Sequence, residues 1–177
     1  MSIGYLGLRG NIPTVLALLT NLVHLEFAQN LLSGEIPSEL WSLAQLERFK
    51  LGENLLNGTI SSDLLNLQQL KHLEIGSNML SGTIPSELWS LAQLEVLKFG
   101  WNLLSATISR DLLNLHQLRH LEIGGNMLSG TIPDLVNMTK LTAVLITDNP
   151  LIEGSFPEMS GLSDLGKSSL SYGRAFA

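Results

Sequence analysis

The chain of 177 residues contains no cysteine. That excludes disulfides and thiol chemistry, but leaves the compartment open, since secreted proteins can lack disulfides. Basic residues are outnumbered: 10 Lys and Arg against 16 Asp and Glu leave a formal net charge of −6. That sign argues against nucleic acid or an anionic membrane as partner. No run of 18 uninterrupted apolar residues occurs, so no segment reads as a membrane-spanning helix. Ile12–Leu25 is apolar enough to suggest a signal-peptide core. Its leucines instead keep the spacing of everything downstream, so it reads as repeat.

What is present is repetition. Leu31–Asn78 and Met79–Asn126 are one 48-residue unit written twice, identical at 36 positions. Each unit splits into two 24-residue halves sharing the skeleton L-x-x-L-x-I-x-x-N-x-L-x-G-x-I-P-x-x-L-x-x-L. Spacing of two early in the period is strand-like, and spacing of three near its end is helical. A fixed period of this size marks a solenoid whose repeats bury apolar surface only against their neighbours. An Asn column runs Asn30, Asn54, Asn78, Asn102, Asn126, Asn149, spaced by 24 four times and then by 23. Its amides carry two donors and an acceptor and are expected to satisfy turn backbone groups.

The stretches Ser33-Gly34-Glu35-Ile36-Pro37, Ser81-Gly82-Thr83-Ile84-Pro85 and Ser129-Gly130-Thr131-Ile132-Pro133 closely resemble the plant-type leucine-rich-repeat family. The resemblance covers roughly residues 3–165. It implies an α/β solenoid: a right-handed superhelix of about six to seven repeats, with a parallel concave sheet and short helical or 3-10 convex segments. It also implies mostly extracellular relatives, namely receptor ectodomains, receptor-like proteins and wall-enzyme inhibitors. Such ectodomains usually have Cys-bearing caps, and this chain departs from them there. The expected organisation is one solenoid over 1–165, with 1–21 a truncated first repeat lacking the N-x-L-x segment and 166–177 a loose tail. An under-capped first coil should leave apolar edge exposed.

Alternation along each strand predicts three columns on the concave sheet. The first is Tyr5, His24, Arg48, His72, Val96, His120 and Ala143; the second is Gly7, Glu26, Lys50, Glu74, Lys98, Glu122 and Leu145. The third is Arg9, Ala28, Gly52, Gly76, Gly100, Gly124 and Thr147, and just outside it lie Gln29, Glu53, Ser77, Trp101, Gly125 and Asp148. Signs alternate from Glu26 to Glu122, which reads as a solvated ladder or as a polar strip for a ligand. Trp101 replaces Glu, Ser or Gly of the other repeats and adds an aromatic contact. The ligand site is therefore expected on His24, Glu26, Arg48, Lys50, His72, Glu74, Lys98, Trp101, His120 and Glu122.

Other constellations are weaker. The pairs His24/Glu26, His72/Glu74 and His120/Glu122 fall on alternate strands about 9.6 Å apart, too far for one metal centre. Gly161–Ser168 matches G-x-x-x-x-G-K-S literally, but without the strand and helix a phosphate loop needs. Thr59, Thr83, Thr107 and Thr131 form a ladder of the kind ice-binding solenoids use, interrupted by Glu35 at one end and by Ser155 at the other. Trp41, Leu65, Trp89, Leu113 and Val136 form a candidate apolar strip on the convex side. Asn57-Gly58-Thr59 and Asn137-Met138-Thr139 are glycosylation sequons.

These readings converge on a non-catalytic recognition module without cofactor or metal, binding a protein or a glycan or peptide ligand and located outside the cell or at its surface. No nucleic acid or membrane insertion is expected, and self-association end to end or through the convex strip is the remaining partner class. The competing readings are an ice-binding or wall-associated structural solenoid, and an ectodomain fragment of a receptor-like kinase.

Overall fold

The computed structural model describes residues 1–154 and the strand Leu170–Ser171. The Gly161–Ser168 match, Ser155 and most of the expected tail lie outside the described residues.

Each period makes one coil: a three-residue strand, a tight turn, a second short strand and a five-residue 3-10 helix. The main sheet has seven parallel strands, His24–Glu26, Arg48–Lys50, His72–Glu74, Val96–Lys98, His120–Glu122, Ala143–Leu145 and Leu170–Ser171, in that order. A flank of second parallel strands, two to five residues long, follows the turns. Arg9–Gly10, Leu31–Glu35 and Leu55–Asn57 form one group, Ser81–Gly82 pairs with Leu103–Leu104, and Ser129–Thr131 pairs with Leu151–Glu153. Single bridges Thr59 to Ser81 and Thr107 to Ser129 join the groups into one edge.

The return segments Thr14–Leu18, Ser38–Ser42, Ser62–Asn66, Ser86–Ser90 and Arg110–Asn114 are 3-10 helices. A 3-10 helix rises about 2.0 Å per residue, so five residues span the back of a coil that must close in 24. From Pro37 onward their starts alternate with the 48-residue period. Three follow Pro13, Pro37 and Pro85 without a side-chain cap, whereas Ser61 and Ser109 accept from the backbone N–H of Asp63 and Asp111 at 3.1 and 3.0 Å. In the fifth repeat, one residue short, a turn replaces the helix and buries Leu135 and Met138.

The core is a stack of identical layers. Leu25, Phe49, Leu73, Leu97, Leu121 and Val144 point inward from the main sheet and are fully buried, as are the inward residues two places on. The Asn column stitches the layers together. Asn102 accepts from Leu80 N–H at 2.9 Å and donates to the carbonyls of Ile75 and Phe99 at 3.2 and 3.1 Å. The same pattern recurs at Asn30, Asn54, Asn78, Asn126 and Asn149. The column is structural because every amide is spent on backbone groups of its own coil and the preceding one.

Two expectations are corrected. The first repeat is not missing its N-x-L-x segment. Ser2 bridges Glu26, Tyr5 N–H donates to Gln29 O at 3.1 Å, and Arg9 pairs with Leu31 as Ser33 pairs with Leu55. The repeat is in full register with Leu6 standing where the others have Asn. Ser2 and Gly4 therefore take the positions assigned to Gly7 and Arg9, and Tyr5 moves to the turn. Secondly, the convex strip is not a surface. Trp41 and Trp89 are only 1% and 7% exposed, and Trp41 meets Phe49 edge-on with centroids 5.2 Å apart. Leu65 and Val136 stay exposed, so no continuous apolar band remains there. The first coil does expose apolar side chains, among them Leu6, Val15, Leu18 and Leu19.

Candidate functional site

The main-sheet strands pair in strict register: His24, Arg48, His72, Val96, His120 and Ala143 lie side by side, as do Glu26, Lys50, Glu74, Lys98, Glu122 and Leu145. Nine of the ten expected ligand residues, all but Trp101, are thus assembled in two columns on one face, with the register anticipated from the period. Val96 is buried within the first column and divides it.

The charges do not pair evenly. Glu74 collects Lys50 at 2.8 Å, Lys98 at 3.9 Å and the Nδ1 of His72 at 3.6 Å. Glu26 has Arg48 at 4.0 Å. Glu122 leans back over the preceding coil instead, so that a β-carbon at Gly100 would stand 3.3 Å from its Cγ. Burial raises the Glu74 pKa, but the hydrogen bond and charge of Lys50, then Lys98 and His72, outweigh it and hold the carboxyl below its ordinary value. His72 is lowered, first by burial and then by the charges of Lys50 and Arg48, against the opposing pull of Glu74. Its Nδ1 is buried without a hydrogen-bond partner, since 3.6 Å to Glu74 is too long for one. A neutral imidazole between Arg48, Lys50 and Glu74 results.

Beyond the glycine column the chain turns in the left-handed region at Tyr5, Gln29, Glu53, Ser77, Trp101 and Asp148, with φ between 54° and 58°. The column itself is structural: a β-carbon at Gly76 would meet Gly100 O at 2.9 Å, and one at Gly124 would meet Thr147 O at 2.7 Å. Gly100 and Gly124 are buried, so the floor beside Trp101 is closed rather than open to a ligand. Trp101 is 52% exposed and lies against Gly125, where a β-carbon would stand 2.6 Å from the indole Cε3. With the first-repeat correction, Tyr5 joins Trp101 in the same column, four coils away and also exposed.

Two features escaped the sequence reading. Glu47, Lys71, Glu95 and Arg119 form a second ladder just before the main strands, paired at 3.0 Å for Lys71–Glu47 and 3.6 Å for Arg119–Glu95. The exposed apolar column Leu31, Leu55, Met79, Leu103, Met127 and Leu151 lines the flank. Both were legible as 24-residue spacings: the second falls, except at Leu151, on the x of N-x-L, a place read as unconstrained. Asn57 and Asn137 are both exposed. Among the described residues no group of His, Asp or Glu could hold a metal ion, and no helix is long and apolar enough to cross a membrane.

The family model for the Leucine Rich Repeat matches residues 21–43, 69–91 and 117–138. A solved structure of Pollen Receptor Kinase 3 is 32% identical, with a TM-score of 0.76 over 86% of this chain and 74% of its own. The chain belongs to the leucine-rich-repeat family. This leucine-rich-repeat chain is also similar to a TDR receptor, at 35% identity and a TM-score of 0.85, covering 97% of this chain and 29% of the receptor's. The Arabidopsis receptor kinase HAESA, solved with the peptide hormone IDA and the co-receptor SERK1, is 29% identical with a TM-score of 0.81 over 88% of this chain and 26% of its own. The chain spans less than a third of the length of these two receptors. No curated protein matches it significantly in sequence.

Proposed function

We propose that this chain is a receptor-like, non-catalytic recognition module of the extracellular space that takes a peptide or protein segment along the main sheet. The binding centre in this reading is Lys98 and Trp101, with Arg48, Lys50, His72 and Glu74 continuing the strip and His24, Glu26, His120 and Glu122 at its ends. The observation that carries it is Trp101, a half-exposed indole held in a left-handed turn against Gly125, beside a charged column on a rigid sheet. Side chains fixed in advance lose little entropy on engagement, and aromatic residues dominate binding energies elsewhere. The solved complex of HAESA with a peptide hormone supports a peptide over a glycan as the ligand class.

Trp101 is the exposed tryptophan of the three, so its fluorescence reports the site. Extended peptides selected on the chain from a random display library should shift Trp emission to the blue. They should lose affinity for Trp101→Ala and for Lys98→Glu, both of which keep the folded far-UV spectrum, the second melting earlier because it sets a carboxylate between Glu74 and Glu122. Peptides that bind the double variant unchanged would sink the assignment. The ice-binding reading gains nothing from the structure: Thr59 and Thr107 turn their methyls onto Gly82 and Gly130 of the next coil, and Thr107 Oγ1 lies 3.3 Å from Ser129 Oγ.

A further inference from the structure

On the flank, Leu31, Leu55, Met79, Leu103, Met127 and Leu151 expose between 38% and 60% of their surface. Their strands or coils stack in parallel, so the six side chains rise at about 4.8 Å per coil and make a stripe about 24 Å long. Two residues on in each coil comes a column of mostly Ser, and two further on the exposed threonines. Among the described residues, charge on this face is carried by Arg9 in the first coil, Glu35 in the second and Glu153 in the last described one, all exposed. An apolar stripe bordered by uncharged polar residues is the composition of a protein interface.

We infer that the occupant is a second copy of this chain, packed flank to flank and antiparallel about a twofold axis along the rung Met79–Ser81–Thr83. Three observations select it. A stripe with a 24-residue period keeps step with a partner only if the partner has the same rise per coil, and a second copy has it by construction. Turning the face about that rung brings Leu55 onto Leu103 and Leu31 onto Met127 of the other copy. It also brings Arg9 onto Glu153 twice over, an opposite-charge pair at each end, while Glu35 meets the neutral Thr131. Finally, between Glu35 and Glu153 the face carries no charged side chain, so a copy can cover it there without burying an unpaired charge. Such an isologous contact is closed, so association stops at two. Asn57 stands inside the face, and a glycan on its sequon would exclude the dimer. This inference does not rest on the peptide-binding reading, since the two surfaces are different.

Sedimentation equilibrium of the full, unglycosylated chain across micromolar concentrations should show a particle of twice the 19.3 kDa chain mass. Met79→Glu places a charge against its own copy and Leu103→Glu buries one in the stripe; each should give a monomer with an unchanged far-UV spectrum, melting at a temperature that no longer rises with concentration. Arg9→Glu or Glu153→Arg alone should weaken association about tenfold, and the two together should restore it. A chain that stays monomeric, a dimer that survives Met79→Glu, or a reciprocal charge swap that fails to rescue would each overturn the proposal.

Discussion

The indole of Trp101 and the backbone of Gly125 are in direct contact: the ring of one coil lies where the next coil has no side chain. In the four coils from Gln29 to Trp101 the turn position carries a side chain at positive φ, and the following coil has Gly125 at φ 65°. Glycine is needed there for space as much as for conformation.

Gly125→Ala should therefore act through Trp101. Its β-carbon would sit 2.6 Å from the indole, so the ring must swing into solvent. The left-handed φ adds roughly 1 kcal/mol for a residue with a side chain. The expected readout is a red shift of Trp emission with a melting temperature lower by a few degrees. An unchanged spectrum would show that the ring is not anchored by this contact.

Removing an amide from the Asn column should cost stability in proportion to its burial. Asn102→Ala leaves the buried Leu80 N–H without its partner, while the Ile75 and Phe99 carbonyls keep the amides of Asn78 and Asn126. Buried polar groups left unpaired cost roughly 1–3 kcal/mol, which thermal melting should register as several degrees. Asn78→Ala, at a half-buried position, should cost less. Equal losses at the two sites would argue against burial as the controlling factor.

Trp41→Ser is expected to behave as a core mutation. The ring is buried and packs edge-on against Phe49, and truncating a buried Trp costs roughly 3–5 kcal/mol. Chemical denaturation should show the midpoint falling sharply. A midpoint shift no larger than that of an exposed leucine such as Leu65 would restore the convex strip as a surface.

The cluster around Glu74 makes stability fall in acid. The folded pKa of Glu74 lies below its ordinary 4.5, so the unfolded chain takes up that proton first as pH drops. Stability present above about 4.5 is then lost down through the folded value. The folded pKa of His72 lies below its ordinary 6.5. Between those values the unfolded chain again binds the extra proton, so loss begins near pH 6.5. Both effects share one sign. Melting temperatures should fall from neutrality downward, and His72→Gln should flatten the first part of that fall. A wild-type profile that is level from pH 7 to the carboxylate range would contradict the placement of His72.

Much of this protein was legible in its sequence because a solenoid repeats its environment every 24 residues. Periodicity alone placed Glu26, Lys50, Glu74, Lys98 and Glu122 in one column and the Asn amides in another, and the strand register agrees. A fixed period transmits register from coil to coil without long-range information. Where neighbours rather than period decide, the reading failed. Ile3, Leu6 and Leu8 alternate acceptably in more than one register, and only pairing of Ser2 with Glu26 and Arg9 with Leu31 resolves it. Whether Trp41 faces solvent or core depends on space beside Phe49, which lies in the following strand. The uneven clustering of Lys50, His72 and Lys98 around Glu74, and the coherence of the apolar flank, are likewise tertiary. Side-chain direction is set by the shape of what each residue packs against, and a one-dimensional pattern carries the spacing of those neighbours but not the room between them.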